Sequence, residues 1–316
     1  MAFVGEPKSI LQERSTIAHW QLRDVLHAPS ENECLIPYRD VVKHCNLSTK
    51  IVTMTLMDFS PAAITTGYGY LACGSEDGSL TVKHASRGPC AVQLPNRRMI
   101  NGLTLSKHCG EVRLLVSKNN GTITVLSLPQ CRVKTVLQLP ARVNQCSVSP
   151  DGKRMIAVGD SNLIFCYEVS MGGYRHYNTM NVYADASFTV DWNASSTSFA
   201  VGSEDGSVSI WDIRHSNPLA RIYGSEHSQS VRALKFTKEG GLDLLAFSEH
   251  GGCVHIVDTR DYAKKQSVRI TGPENAISGM TFTPSNRKLL VSTLSEVFEM
   301  EVNDKPRRTH CIGSLL

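Results

Sequence analysis

The sequence predicts an all-β fold, a ring of small antiparallel sheets that is called a β-propeller. The hexapeptide GSEDGS occurs at residues 74–79 and again at residues 202–207, 128 residues later. Three repeats of about 43 residues fill this interval, and that length is typical of a four-stranded propeller blade. One such sheet cannot bury both of its faces, so we expect the units to stack around a closed ring with only short edges.

The intermediate repeats occur at the same spacing. Positions equivalent to the second glycine of the hexapeptide recur at Gly78, Gly121, Asn162, Gly206, Gly251 and Ser295. Around each position an apolar run, a short polar turn and an alternating segment follow one another, which predicts a strand, a tight turn and a strand. Upstream hairpin turns, such as SPDG at residues 149–152, indicate further strands. Residues 51–303 are therefore predicted to hold six repeats.

One repeat carries a family resemblance. Residues 199–214, FAVGSEDGSVSIWDIR, resemble the end of a WD repeat, with Trp211 and Asp212 in the place of the dipeptide that names the family. The resemblance covers about residues 50 to 303. It implies a hydrogen-bonded tetrad in which Ser203, Asp205 and Trp211 take part. No Gly-His pair precedes them, so we expect the tetrads to be incomplete and the blades to depend more on apolar packing.

The length of the chain predicts seven blades in a single domain, residues 1–316. Only six repeats are visible, so the seventh blade must use the ends of the chain. Residues 1–50 are predicted to supply N-terminal strands that complete the last blade, and residues 304–316 a C-terminal strand or tail. The alternative is a six-bladed ring with an N-terminal arm.

Composition agrees with one compact globular domain, at 41% hydrophobic and 20% charged residues. The sequence contains no run of 18 apolar residues, which a membrane span would need, and the first residues lack the pattern of a signal peptide. The ten cysteines show no framework spacing and are expected to be reduced thiols, several of them in the core. These observations predict a cytoplasmic or nuclear location, or both.

The sequence contains no motif for catalysis or for a cofactor. CxxC, HExxH, GxSxG and P-loop patterns are absent, and no histidine stands at metal-ligand spacing from a cysteine or a carboxylate. We therefore expect no enzyme, no metal site and no cofactor; an active site assembled from several blades is the least favoured alternative. The net charge of +4 is modest, and the short basic runs around Arg97 and Arg307 lack interleaved aromatic residues. Nucleic acid is therefore not an expected partner.

The WD-repeat resemblance implies a non-enzymatic module that binds proteins or peptides. Residues 240–262 and 19–24 further resemble a fungal WD-repeat family with a short domain that carries a DLL motif, here Asp243, Leu244 and Leu245. That resemblance implies the substrate receptor of a GID-type ubiquitin ligase, although buried leucines in a strand would explain the motif equally well. The alternative is a scaffold subunit of a chromatin or trafficking complex.

A second motif indicates an adaptor surface. Residues 211–214, WDIR, resemble the WDxR box of receptors in cullin-based ligases, and the next blade repeats its acid and its arginine. The resemblance implies that a ligase core binds at Trp211, Asp212, Arg214, Asp258 and Arg260. The alternative is an Asp-x-Arg ion pair that fastens a loop.

The residue before each turn position predicts a partner-binding rim on one face of the ring. Read blade by blade, these residues are Glu76, Asn119, Asp160, Glu204, Glu249 and Thr293. Four of the six are acidic, and acidic groups around one mouth add their potentials and attract cationic groups. The prediction is a face that binds basic peptides or free N-termini; the alternative is turn chemistry alone.

Overall fold

Seven four-stranded antiparallel sheets make up the structure, which is a computed structural model. It describes residues 2–19, 21–22, 24–224, 229–238, 243–272 and 274–303. The first strand, β1 (Lys8–Leu11), belongs to the last sheet, and the remaining strands follow in chain order. We number the sheets as blades 1–7.

The first four blades span residues 27–181. Blade 1 contains β2 (His27–Ser30), β3 (Glu33–Tyr38), β4 (Val41–Asn46) and β5 (Val52–Leu56). Blade 2 contains β6 (Ala63–Gly67), β7 (Tyr70–Gly74), β8 (Leu80–His84) and β9 (Arg87–Val92). Blade 3 contains β10 (Ile100–His108), β11 (Glu111–Lys118), β12 (Thr122–Leu128) and β13 (Arg132–Gln138). Blade 4 contains β14 (Val143–Val148), β15 (Arg154–Gly159), β16 (Leu163–Ser170) and β17 (Gly173–Asn181).

The last three blades complete the ring. Blade 5 contains β18 (Ser187–Trp192), β19 (Ser198–Ser203), β20 (Ser207–Asp212) and β21 (Ala220–Tyr223). Blade 6 contains β22 (Val231–Phe236), β23 (Leu244–Glu249), β24 (Cys253–Asp258) and β25 (Lys265–Arg269). Blade 7 contains β26 (Ile277–Phe282), β27 (Lys288–Thr293) and β28 (Val297–Glu301), with β1 as its outer strand.

The first strands of the blades form the inner wall of a closed ring. Each one contacts the first strand of the next blade, and β26 contacts β2, so the series has no end. The chain closes the ring without a covalent link, because β1 pairs with β28 through Lys8 opposite Glu299 and Leu11 opposite Val297. The predicted seven-bladed propeller is confirmed.

Successive antiparallel strands place alternate turns on opposite faces of the ring. We call the face with the turns between second and third strands the b–c face, and the opposite one the a–b face. The loops between blades also lie on the b–c face, and backbone bonds join the two kinds of loop there. Asn119 N donates to Met99 O at 3.0 Å, and Asp160 N donates to Arg142 O at 3.1 Å. These bonds hold each b–c turn against its own blade's entry loop.

The repeated hexapeptide builds such a b–c turn. Gly78 and Gly206 have φ angles of +85° and +81°, a conformation that costs glycine little and other residues more. A Cβ at Gly78 would lie 2.6 Å from Arg98 N, so the neighbouring backbone also excludes a side chain. Asp205 Oδ1 accepts hydrogen bonds from the Ser207 N and Oγ atoms at 3.0 and 2.6 Å. Glycine and the acid thus serve the geometry of the turn.

The core lies between blades, and the middle strands are buried on both faces. All six residues of β23 and all six of β24 are buried, because each sheet is covered by a neighbour on either side. In blade 5 the Phe199 ring stacks on Trp211, with ring centroids 6.3 Å apart, and packs at 5.2 Å against Trp192. Apolar contact between sheets therefore carries much of the stability of the ring.

The N-terminal fifty residues divide between two blades, which differs from the expected boundaries. Only β1 joins the last blade, whereas β2, β3 and β4 belong to blade 1 and pair there with β5. The boundary expected at residue 50 thus falls inside a sheet. The strand or tail expected at residues 304–316 lies outside the described residues.

Candidate interaction surfaces

The N-terminal arm, which we define as residues 2–26, crosses the b–c face after β1. Ser15 N donates to Leu294 O at 3.1 Å in the turn of blade 7, and Thr16 N donates to Pro37 O at 2.9 Å in blade 1. The Lys43 ammonium, buried in blade 1, binds Glu13 Oε2 at 2.7 Å and Arg14 O at 2.9 Å. The arm is therefore fixed to the first and the last blade at once.

The arm then enters the central channel. Leu22 packs against Ala186 and Phe188 of blade 5, and Arg232 Nη1 donates to Gln21 O at 2.6 Å. Lys235 Nζ binds Asp24 Oδ2 at 2.5 Å. These contacts place the arm at the opening of the channel on the b–c face. A cavity of about 530 Å³ in the channel extends to the a–b turn of blade 2.

Two histidines of this region are held mainly in the neutral form. Burial and the nearby Lys235 ammonium lower the pKa of His27 to about 4, and His27 Nε2 lies 2.7 Å from Ile64 O. Burial also lowers the pKa of His19, although the carboxylates of Glu76 and Asp160 oppose this shift. His19 Nδ1 accepts hydrogen bonds from the backbone N–H groups of Gln21 and Leu22. The arm thus brings a neutral ring to the centre of the b–c face.

Four of the six predicted rim residues are accessible on the b–c face. Glu76, Asp160 and Glu204 are exposed and Asn119 is half-buried. Asp160 Oδ1 accepts from Asn144 Nδ2 at 2.9 Å, and its other oxygen lies 3.5 Å from Arg142 Nη1. Within the described residues, Glu76 and Glu204 make no ion pair. The rim therefore offers two carboxylates free of protein cations and one that is partly neutralised.

The other two predicted rim residues are buried, which corrects their placement on the rim. Glu249 is 1% exposed, and its Oε2 lies 3.1 Å from Nε2 of His255, a strand residue that is buried equally well. Thr293 is fully buried, and its Oγ1 accepts from Glu296 N at 3.2 Å inside the turn. Glu249 ends β23 because the turn glycine with a positive φ is Gly252, one residue after the predicted Gly251. Thr293 likewise ends β27 and binds within its own turn.

The entry loop of blade 5 contributes residues that the sequence reasoning missed. Asp185 is exposed and makes no ion pair with described residues, and the Tyr183 side chain is 62% exposed. Glu204 N donates to Ala186 O at 3.0 Å, which places the Glu204 turn beside this loop. The signal in the sequence is an acidic and an aromatic residue in a loop between repeats, whereas the predicted rim used only the residues of the b–c turns.

Four of the five predicted adaptor residues lie on the a–b face of blades 5 and 6. The fifth, Trp211, is fully buried and stacks on Phe199, so its side chain is not available to an adaptor. Asp212 Oδ1 accepts from Arg214 N and Nε at 2.9 Å each, and Oδ2 accepts from Arg214 Nη2 at 2.6 Å. The guanidinium holds the pKa of Asp212 well below its usual range. Blade 6 repeats this geometry with Asp258 and Arg260. The carboxylates are buried, whereas the Arg214 and Arg260 side chains are 74% and 36% exposed.

The described residues show neither a metal-binding group nor a membrane-spanning helix. In the described part of the chain no three His, Cys, Asp or Glu side chains are grouped so as to hold a metal ion. No described helix is long and apolar enough to cross a membrane.

Comparison with known proteins assigns the repeat. Residues 179–212 match the family model of the WD domain, G-beta repeat, over the segment that contains the second hexapeptide. The crystal structure of the WD40 β-propeller domain of Doa1 superposes with a TM-score of 0.75 at 14% identity, covering 95% of this chain and 98% of that one. The chain is a WD-repeat β-propeller. A chain of the mitotic checkpoint complex superposes with a TM-score of 0.81 at 14% identity, covering 96% of this chain and 94% of that one.

Two fungal relatives share more of the sequence. A protein of Schizosaccharomyces pombe, described as uncharacterized, is 28% identical over 310 residues, which is 92% of this chain and 89% of the relative. A longer uncharacterized protein of Saccharomyces cerevisiae is 29% identical over 180 residues, which is 45% of this chain and 24% of the relative. Residues 229–269 also match the model named uncharacterised protein domain DUF2415. This match spans β22–β25, so in this WD-repeat protein that domain is one blade of the ring.

The DLL motif lies inside this blade and has a packing role. Leu244 and Leu245 are fully buried at the start of β23, on opposite faces of the sheet. Asp243 is exposed, and its carbonyl oxygen accepts hydrogen bonds from Thr259 N and Oγ1. The structure thus accounts for the leucines as core residues of blade 6.

The WD tetrad implied for blade 5 is not formed as a single network. Trp211 Nε1 donates to Ser209 Oγ at 2.9 Å. Ser203 Oγ lies instead 3.4 Å from Ser187 Oγ, and Asp205 binds Ser207 and Arg221. Because no histidine enters from the preceding loop, the tryptophan finds its acceptor two residues away on its own strand.

Proposed function

We propose that this WD-repeat protein is a non-catalytic interaction module and that its b–c face binds a cationic group of a protein partner. Asp160, Asp185 and Glu204 lie in the entry loop and the b–c turns of neighbouring blades 4 and 5. This position supports the proposal because potentials of like charges around one mouth add together. A lysine, an arginine or a free N-terminus fits this charge.

The basic residues nearby already form ion pairs with other acidic residues. Arg142 lies against Asp160, and Arg221 binds Asp205 and the Tyr183 carbonyl oxygen. These pairs leave Asp185 and Glu204 as the carboxylates that a partner's cation can reach. The exposed Tyr183 ring adds a surface over which such a cation can lie, which contributes about 0.5–1 kcal/mol at an exposed site.

A charge reversal of three residues tests the binding face. Each exposed ion pair contributes about 1 kcal/mol or less, so we expect a measurable loss only when several are changed together. The variant D160K/D185K/E204K should bind an arginine- and lysine-rich peptide with a free N-terminus at least tenfold more weakly than wild type. Raising the salt concentration should weaken wild-type binding as well. Fluorescence anisotropy measures both effects.

The control carries the same charge change on the opposite face. Glu168, Asp261 and Glu301 follow or end third strands, so they lie towards the a–b face. The variant E168K/D261K/E301K should bind the peptide with no more than the general effect of added positive charge. Equal losses in both variants, or none in the first, would place the binding site elsewhere on the ring.

A ubiquitin ligase core is the candidate partner for the a–b face. The exposed arginines of two adjacent blades, each held by a buried aspartate as in the WDxR box that the sequence resembles, support this proposal. We expect a ligase core to co-purify with the tagged chain and to be lost from the variant R214A/R260A. The variant R175A is the control, because the Arg175 side chain is 71% exposed in blade 4. Recovery of a chromatin or trafficking complex instead would favour the scaffold role.

A further inference from the structure

Two cysteines meet on the outer wall of the ring, between blades 2 and 3. Cys90 is exposed on β9, the outer strand of blade 2, and Cys131 is half-buried in the turn between β12 and β13 of blade 3. Cys90 lies opposite Val82 in the strand pairing. Val82 belongs to the apolar cluster between these blades, and Cys131 packs against the same cluster. The strand register and the packing thus bring both thiols to the interface between blades 2 and 3.

The two thiols also lie near enough to influence each other. Burial raises the pKa of the Cys131 thiol, and the neighbouring Cys90 thiol raises it further. Cys90 is the more exposed thiol of the pair, and Cys131 is the half-buried second sulfur. This arrangement, one accessible thiol with a neighbour within reach, is that of an oxidisable pair.

Three other described cysteines lack either the exposure or the neighbouring thiol of this pair. Cys34 and Cys45 face each other across β3 and β4, but both are 0% exposed. Cys109 is exposed in the turn between β10 and β11, and no thiol contact is found for it within the described residues. The described residues thus include a buried pair and, besides Cys90, the exposed Cys109, each suited to serve as an internal control.

We propose that Cys90 and Cys131 form an oxidation site at which a peroxide joins blades 2 and 3 through a disulfide. The Cys90 thiolate attacks one peroxide oxygen, the O–O bond breaks, and sulfenic acid and one water result. The Cys131 thiol then attacks the sulfenic sulfur, the S–S bond forms and a second water leaves. In total two thiols and one hydrogen peroxide give one disulfide and two waters, and a dithiol reverses the change.

The site lies away from the residues of both proposed binding sites. It is on the outer strand of blade 2 and in a turn of blade 3, whereas the acidic rim residues are in blades 4 and 5 and the adaptor arginines follow the third strands of blades 5 and 6. Oxidation would therefore tie two blades together without changing the charge of the rim. The inference does not depend on the proposed function.

Peroxide treatment of the folded full-length chain tests the proposal. The chain is exposed to hydrogen peroxide, the remaining thiols are alkylated under denaturing conditions, and the peptides are analysed by mass spectrometry. We expect a linked peptide pair that contains Cys90 and Cys131, lighter by two hydrogen atoms and released by dithiothreitol. The variant C90S should abolish the link, and the variant C109S should leave it unchanged.

Two internal controls show when the absence of the Cys90–Cys131 link contradicts the proposal. Oxidation of Cys109 to a sulfinic acid shows that the oxidant was effective, and alkylation of Cys34 and Cys45 shows that the core stayed closed. Separate, alkylated Cys90 and Cys131 peptides in such a sample would overturn the proposal. A link from Cys90 to a different cysteine or to a second chain would also overturn it.

Discussion

Deletion of residues 2–26 should give a chain that aggregates or melts far below the wild type. The deletion removes β1 and exposes the edge of β28, and an unpaired edge strand readily pairs with other chains. It also uncovers core, because Phe3, Val4 and Leu11 are at most 7% exposed in the intact ring. Blade 1 keeps its four strands, so the loss does not come from disruption of that sheet.

Buried polar groups make the loss larger. Lys43 would lose Glu13, and Lys235 would lose Asp24, which leaves two largely buried ammonium groups without these carboxylates. Gln266, whose side chain binds the backbone N–H groups of Phe3 and Val4 and the Val4 carbonyl oxygen, would lose all three bonds. A buried charge deprived of its partner typically costs about 3–5 kcal/mol.

Differential scanning fluorimetry and size-exclusion chromatography measure this effect. The variant K8A is the matched control, because Lys8 lies in β1 but makes only a 3.8 Å ion pair at an exposed site. It should melt within a few degrees of the wild type. A synthetic peptide of residues 2–26 should partly restore the deleted chain. A truncated chain that is monomeric and as stable as the wild type would show that the arm does not close the ring.

Replacement of Trp211 by alanine should lower the free energy of unfolding by about 3–5 kcal/mol. The indole is fully buried, stacks on Phe199 and donates its N–H to Ser209. Its removal leaves a cavity between two sheets and an unsatisfied hydroxyl. The cavity also loosens Phe199, which packs against Trp192 on its other side.

Urea denaturation followed by circular dichroism measures the loss, since the substitution removes a fluorophore. The variant W211F keeps an aromatic ring and loses chiefly the hydrogen bond, so it should cost about 1 kcal/mol from that bond plus a smaller cavity. If W211A and W211F were equally stable, the size of the ring would not matter and the stacked arrangement would not be a main source of stability.

The sequence revealed six blades and missed blade 1, for a physical reason. The repeats were found through glycine at the b–c turn, where a positive φ favours it. Blade 1 makes this turn with Arg39 at a φ of 54°, and Pro37 stands within β3, where a proline lowers the expectation of a strand. The strands of blade 1 are otherwise like those of the other repeats, so only the turn glycine that identified a repeat is missing.

Accessibility on the rim depended on placing each turn to the residue. The sequence pattern aligned Glu249 with Glu76, but the turn glycine of blade 6 is Gly252, at a φ of +83°. Gly252 N donates to Glu249 O as Gly78 N donates to Ser75 O. Glu249 therefore takes the place of the buried Ser75, not of the exposed Glu76. The repeat pattern alone did not distinguish between the two adjacent glycines of this turn. Asp185 was missed because it lies between repeats.

The pairing of β1 with β28 has a consequence during synthesis. Lys8 leaves the ribosome well before its partner Glu299, which is made almost 300 residues later. At a translation rate of about 5–20 residues per second, the arm waits roughly 15–60 seconds for its strand. During that time Phe3, Val4 and Leu11 have no core to enter. The nascent chain is thus a natural client of chaperones until its last blade emerges.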